Sequence, residues 1–501
     1  MTLADHHPDH LFPKLDRRSA LKAGALAGMA AALGIAAPHA RAGQPVATSR
    51  PTPGRAKNII FMVSDGMSTG ALTLADMHIR RKHHRPSHWV GLWDNPGTRR
   101  ATARTHSLDS LVTDSAAGGC AWGSGRHINN GCINILPDGT QLLPILPHAR
   151  QSGKLTGVVT TARVTHATPA SFYANSPRRD YEGMMGVQFM DRGIDLALGG
   201  GAKFFQDPET SKFPNVRLAR SKQELAAALA IPAGPASAPP QPIVGLFAQE
   251  HVPYVLDRDD SIPSLAELTR HALGRLGGYP AGFVVQIEGG RIDHAAHNND
   301  AASLLHEQLD FDAAIGAVLE WIAHRDDTLL ILTTDHGNAN PGLTLYGPEG
   351  ERGFTNLDRA AKSFEWIADQ IHGIRPASAR VARMAEAVKT AANYDLTPDD
   401  RRLLEDCLQD KRTMPFAEAN KWTSVLGGIL ADHYGVAFVS PNHTSDYVEV
   451  TALGPGSESI NGCIDNVQLH GVMTAALGLP EGTLLPGMES PMPLPKPPKP
   501  D

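Results

Sequence analysis

Lys57-Asn58-Ile59-Ile60-Phe61-Met62-Val63-Ser64-Asp65-Gly66 is a near-continuous apolar run that closes on a carboxylate and a glycine. A run with no polar alternation suits a strand buried on both faces of a parallel sheet. The same grammar recurs downstream. Leu155 to Thr160 leads into a polar stretch ending at Thr168, Gly282 to Ile287 into Glu288-Gly289-Gly290, and Thr328 to Thr334 into Asp335-His336-Gly337. Ile194 to Leu198 stops at Gly199-Gly200-Gly201 without an acidic residue. Helical patterns separate the strands, as in Leu265 to Leu276 and Ala301 to Ala323. This alternation predicts an α/β fold, a three-layer sandwich with a central, mostly parallel sheet and helices on both faces. In such sheets functional groups gather beyond the carboxyl ends of the strands. Asp65, Thr168, Glu288, Asp335 and His336 all stand there. Each alone reads as a helix N-cap; their recurrence at successive strand ends points to a shared site.

The chain has 501 residues, 42% of them hydrophobic, enough to bury a large core. Its 46 Lys and Arg against 52 Asp and Glu give a net charge of -6, which argues against a binder of nucleic acid driven by phosphate contacts. The 23 histidines raise the question of metal ligation. Four cysteines, Cys120, Cys132, Cys407 and Cys463, are too few for a disulfide-built fold. If bridges form, nearness in sequence favours Cys120 with Cys132 and Cys407 with Cys463.

Residues 1–42 resemble a twin-arginine export signal. Arg17-Arg18 precedes an Ala/Gly/Leu run to about Ala37, and Ala40-Arg41-Ala42 is an A-x-A cleavage pattern. The expected location is periplasmic or secreted, with no membrane span after cleavage; the competing reading is a membrane anchor, for which the run is barely long enough. A linker over 43–56 leads to a catalytic domain over 57–485, and a Pro-rich, extended tail occupies 486–501. Helical segments at Leu357 to His372, Ala377 to Ala392, from Thr397-Pro398 onward and Phe416 to Tyr434 predict a largely helical insertion over about 345–435. It is read as a lid, an oligomer contact, with a homodimer among the alternatives, or a peripheral addition.

Thr113 to Gly125, TDSAAGGCAWGSG, contains Ser115 between Asp114 and two alanines. A serine hydroxyl needs a base, a metal or the positive end of a helix to become a nucleophile, and the plain reading is a helix cap. In Ile292-Asp293-His294-Ala295-Ala296-His297, a helical turn brings Asp293 and His297 to one face, so both can reach one metal of the kind zinc represents. Asp335-His336 is a second oxygen and nitrogen pair. His443 lies in a polar loop before a strand predicted over Tyr447 to Ala452.

IIFMVSDGM, TDSAA, THATPA, QIEGGRIDHAAH, TTDHGNA and NHTSDY, in this order, resemble the alkaline phosphatase family from about Lys57 to Gly454. The resemblance implies a hydrolase of phosphate monoesters that works through a phosphoserine, with two zinc ions and one magnesium. By position, Ser115 is the implied nucleophile. Asp293, His297 and His443 would hold the first zinc, and Asp65, Asp335 and His336 the second. Thr168 and Glu288, sharing Asp65, would hold magnesium. Arg179 stands where the family has its phosphate-binding arginine, with the adjacent Arg178 ranked second. His166 and His294 replace Asp and Lys of the best-known bacterial pattern, as in the animal enzymes. An imidazole in the outer shell there favours zinc or cobalt, so another divalent metal is an alternative at the third site. Ser68 stands in place of a Gly, and Gly118-Gly119-Cys120 in place of small and hydroxyl residues.

Two other readings stay open. One is a phosphodiesterase or sulfatase of the same superfamily, although the C-x-P-x-R setting of sulfatases is absent around Ser115. The other is an exported metal- or phosphate-binding protein without activity.

Overall fold

The computed structural model describes residues 56–206, 212–231 and 240–480. The stretch expected to be an export signal, the expected linker up to residue 55 and the expected Pro-rich tail lie outside them. Ten strands form the main sheet: β1 (Asn58–Ser64), β2 (Arg99–Arg104), β3 (Leu155–Arg163), β4 (Leu196–Gly200), β5 (Arg217–Ala219), β6 (Ile243–Leu246), β7 (Phe283–Gly289), β8 (Thr328–Thr333), β9 (Val448–Leu453) and β10 (Gly462–Asp465). Their order is β10-β2-β9-β8-β1-β7-β3-β4-β6-β5. Only β9 runs antiparallel to its neighbours β8 and β2.

Every residue of β1, β7 and β8 is buried, in keeping with their largely apolar sequences. The register brings their ends level: Val63 pairs with Glu288 on one side and Thr333 on the other, and Glu288 pairs with Thr160 of β3. Asp65, Glu288 and Asp335 therefore emerge along one edge.

Helix α1 (Thr69–His83) follows β1 and α2 (Ser115–Ser124) follows β2. Helix α3 (Leu265–Leu276) precedes β7, and α4 (Arg291–His297) and α5 (Ala301–Ile322) follow it. Alternate residues of β1 serve opposite layers. Ile59, Phe61 and Val63 join Ala116, Cys120 and Trp122 of α2, whereas Ile60 and Met62 join Leu268 and Leu273 of α3 and Phe311 of α5. The chain is thus an α/β sandwich with the sheet in its middle.

Beyond β8, helices α6 (Gly347–Asp358), α7 (Phe364–Ile371), α8 (Ala377–Ala392), α9 (Pro398–Leu408) and α10 (Trp422–Ile429) share a third core with Leu74 of α1 and Leu305 of α5. The continuous helix expected over Leu357 to His372 is two helices. Ser363 accepts a hydrogen bond from Trp366 N and starts a new one. Thr397 and Asp400 form a capping box around Pro398. The segment expected to be helical from Phe416 to Tyr434 is broken into a 3-10 turn at Ala417–Ala419, α10, and a last turn at Ala431–Tyr434. Helix α11 (Gln468–Leu477) closes the described chain against the α2 side of the sheet.

Neither favoured cysteine pairing forms; all four thiols are free. Cys120 is buried in the core and takes a contact from Asn134 N at 3.1 Å, and Cys132 Sγ faces the carbonyl of Pro177 at 3.5 Å. Cys407 faces the carbonyl of Asn420 on the helical insertion, whereas Cys463 is exposed on the edge strand β10. Nearness in sequence did not translate into facing side chains.

Candidate metal and phosphate site

Asp114 is the N-cap of α2 and accepts from Ala117 N at 2.9 Å, so Ser115 is the first helical residue. The other carboxylate oxygen of Asp114 accepts from Gly131 N at 3.0 Å and from Arg179 Nη1 at 2.9 Å. One carboxylate thus fixes both the start of the serine helix and the arginine. Arg178, by contrast, is turned to Asp180. Ser115 is buried, and its Oγ lies 3.2 Å from His336 Nε2.

Three linked groups of possible ligand atoms include or adjoin this histidine, the atoms of each within 4.8 Å of one another: Asp293, His297 and His443; Asp65, Asp335 and His336; and Asp65, His166 and Glu288. Thr168 Oγ1 donates to Asp65 Oδ2 at 3.1 Å, next to the last group. The structure brings His166 into the ligand cluster itself, closer in than the outer role expected from its position. His294 is in none of the three groups and receives Arg291 Nη1 at 2.9 Å.

The donor chemistry fits cations. His297 Nδ1 donates to the carbonyl of Pro441 at 2.7 Å and His443 Nδ1 to that of Thr113 at 2.8 Å. Each ring therefore turns an Nε2 lone pair inward, and these two nitrogens face each other at 2.9 Å. Asp293 flanks them, 3.4 Å from His297 and 3.6 Å from His443. A shared cation relieves the repulsion of two facing lone pairs. Asp65 Oδ1, Glu288 Oε1 and Asp335 Oδ2 are buried without hydrogen-bond partners, which is costly unless something positive compensates them. Burial, reinforced by Asp335, Asp293 and Glu288, holds the Asp65 carboxyl well above its usual range. Burial also pushes Glu288 up to about 7. So many carboxylates ionise together only around cations.

The departures from the family pattern have local causes. A Cβ on Gly118 would sit 3.1 Å from Asp335 Cβ, and one on Gly119 would sit 2.6 Å from Ser171 Oγ. The glycines let α2 approach the end of β8 and the Thr168 turn. Ser68 Oγ accepts from Asn338 N at 3.0 Å, and Asn338 in turn donates to Asp293 Oδ1 at 2.7 Å. Motif reading missed Asn338, Arg163, Glu182 and His251. Arg163 pairs with Glu182 and approaches His251 at 2.5 Å, and the His251 ring centroid is 4.3 Å from that of His294. No sequence spacing links these residues; the βα turns assemble them.

Beside the Asp293 group a cavity of ≈ 420 Å³ is lined by Arg291, His294, His297, Tyr254, Phe364 and Trp422. The last two come from the helical insertion.

The family model described as "Alkaline phosphatase" matches residues 56–479. Alkaline phosphatase 4 of Bacillus subtilis (strain 168) is 30% identical, covering 82% of this chain and 86% of its own. The streptomycin-6-phosphate phosphatase of Streptomyces griseus is 28% identical, covering 91% of this chain and 97% of its own. The crystal structure of Thermus thermophilus alkaline phosphatase superposes with a TM-score of 0.78 at 29% identity, covering 89% of this chain and 96% of that one.

Proposed function

The chain belongs to the alkaline phosphatase family, a family of metal-binding phosphatases, and from this premise we propose that it hydrolyses phosphate monoesters through a phosphoserine on Ser115. The observation that carries the reading is Ser115 Oγ against His336 of one ligand group, which shares Asp65 with a second group and stacks on His443 of a third, beside an arginine anchored by Asp114.

Asp293, His297 and His443 would hold one zinc, Asp65, Asp335 and His336 a second, and Asp65, Thr168, Glu288 and His166 a magnesium or another divalent ion. When bound, such ions supply Lewis acidity to the attacking and leaving oxygens of an in-line displacement. The chain's own residues do the rest. Ser115 Oγ forms the bond to phosphorus as the bond to the alcohol oxygen breaks, and water later displaces the serine. The first turn of α2 presents its positive end to the ester's negative charge. Arg179, held at Nη1 by Asp114 and with Nη2 3.2 Å from His166 Nε2, would turn its planar fork to phosphate oxygens. The Nδ1 contacts to Thr113 and Pro441 keep the His443 and His297 rings turned inward.

Substrates are small phosphate esters, and among the described residues no helix is long and apolar enough to cross a membrane. Export to the periplasm or beyond is part of the proposal, carried by Arg17-Arg18 and Ala40-Arg41-Ala42. Steady-state kinetics on a monoester, a diester and a sulfate ester, with metal content counted on the same sample, test the reading. Monoester preference with at least three metals per chain is expected. Diester or sulfate preference would replace it, and absence of turnover in a fully metallated sample would leave a binding protein.

A further inference from the structure

A second cluster of ligand-type side chains lies away from the candidate catalytic groups. His106 follows the end of β2, His127 follows α2, and Asp465 is the last residue of the edge strand β10. Potential ligand atoms of the three lie within 4.8 Å of one another. The two imidazole centroids are 4.1 Å apart with 32° between the planes, and His127 Nε2 is 2.8 Å from Asp465 Oδ1. His127 Nδ1 is buried and has no hydrogen-bond partner. The remaining contacts of the Asp465 carboxylate are weak: Arg104 Nη2 at 3.4 Å from an exposed side chain, and Val467 N at 3.4 Å.

We propose that His106, His127 and Asp465 form a further divalent-cation site of zinc type, separate from the catalytic groups. Two imidazoles and a carboxylate, with a position left open, are a donor set that zinc accepts. A hydrogen-bonded His127 and Asp465 pair needs no third member, yet a ring nitrogen of His106 lies within reach of both.

Position gives the site a purpose. His106 begins the segment that carries Ser115, and His127 ends it; the two ends touch where Leu108 N donates to the Ile128 carbonyl at 2.9 Å. Asp465 comes from a strand more than three hundred residues further along. A cation here would tie the edge of the sheet to both ends of the segment bearing the nucleophile. Helix α2, ten residues long, lies between Ser115 at its start and the turn that leads to His127.

The test compares the metallated protein with His127→Gln and Asp465→Asn after dialysis against zinc and magnesium, with zinc counted per chain by plasma mass spectrometry. Each variant is expected to hold one zinc fewer than the unaltered protein while keeping its ester hydrolysis. Equal counts in all three proteins would overturn the proposal. Crystals of the unaltered protein grown with zinc make the test independent of how the variants fold. Anomalous scattering at the zinc edge should give a peak among the three side chains, and its absence would also overturn the site.

Discussion

The imidazoles of His336 and His443 stack with ring centroids 3.6 Å apart and 22° between their planes. One belongs to the group with Asp65 and Asp335, the other to the group with Asp293 and His297. The two candidate zinc positions therefore share a wall of two rings, and a change on one side removes packing from the other.

His443→Ala is expected to lower metal affinity and activity by at least the roughly 10–100-fold that loss of an outer partner costs. Zinc should be lost from both groups, because His336 loses the ring it stacks on. Chelation of the unaltered protein should abolish turnover, and zinc with magnesium should restore it. Zinc analysis alongside kinetics checks both outcomes.

Asp114 joins the serine helix to Arg179. Asn is as good an N-cap as Asp, so Asp114→Asn should leave α2 in place while loosening the arginine. Arg179→Ala should weaken inhibition by inorganic phosphate about 10–100-fold, the range of a charge-assisted hydrogen bond worth ~1.5–3 kcal/mol. Asp114→Asn should give part of that effect. Arg178→Ala should give little, since that side chain is exposed and turned to Asp180. Inhibition constants for the three variants rank the contributions.

Gly123→Ala would place a Cβ 2.1 Å from the carbonyl oxygen of Ser171, a backbone atom that cannot swing away. A loss of about 1–3 kcal/mol is expected from this overpacking. Gly183→Ala, in the helix Glu182–Asp191 with open space around it, should instead stabilise by about 0.4–1 kcal/mol. Urea unfolding of the metallated protein measures both.

Glu307 of α5 is buried, and burial pushes its carboxyl up to about 7, with Arg258 opposing and Asp310 adding to the rise. The folded state thus keeps a proton that the unfolded chain, at an ordinary value near 4.5, releases. Stability from this group is complete below about 4.5 and falls as pH rises through about 7. Glu307→Gln keeps an acceptor for Val255 N and cannot ionise. Unfolding free energies of the two proteins should diverge between pH 5 and 8, in favour of the variant.

The strands that are buried on both faces were legible because β1 and β8 are nearly pure apolar runs and β3 and β7 carry apolar stretches with few charges. Strands at or next to the sheet edge were not. Arg99–Arg104 reads RRATAR, and only Ala101 and Ala103 turn inward. Gly462–Asp465 is four residues long and half exposed. In the insertion, Ala377–Ala392 could be read to the residue, whereas the stop before Ser363 was hidden in a continuous helical pattern. Residues with a motif, from Asp65 to His443, could be named as candidates because each sits at a strand end or on a helical turn. Arg163, Glu182 and His251 meet only through the fold, as Asn338 meets Asp293, and the same holds for His106, His127 and Asp465.

The central claim is that Ser115 carries the phosphoryl group. Its most direct test is acid quenching of the metallated protein during turnover of a phosphate monoester, followed by peptide mass spectrometry. The expected result is a phosphate on the Ser115 peptide, absent from Ser115→Ala, which should keep its metals and lose most of its turnover. Undiminished turnover in Ser115→Ala, or a quenched active protein with phosphate on another residue, would contradict it.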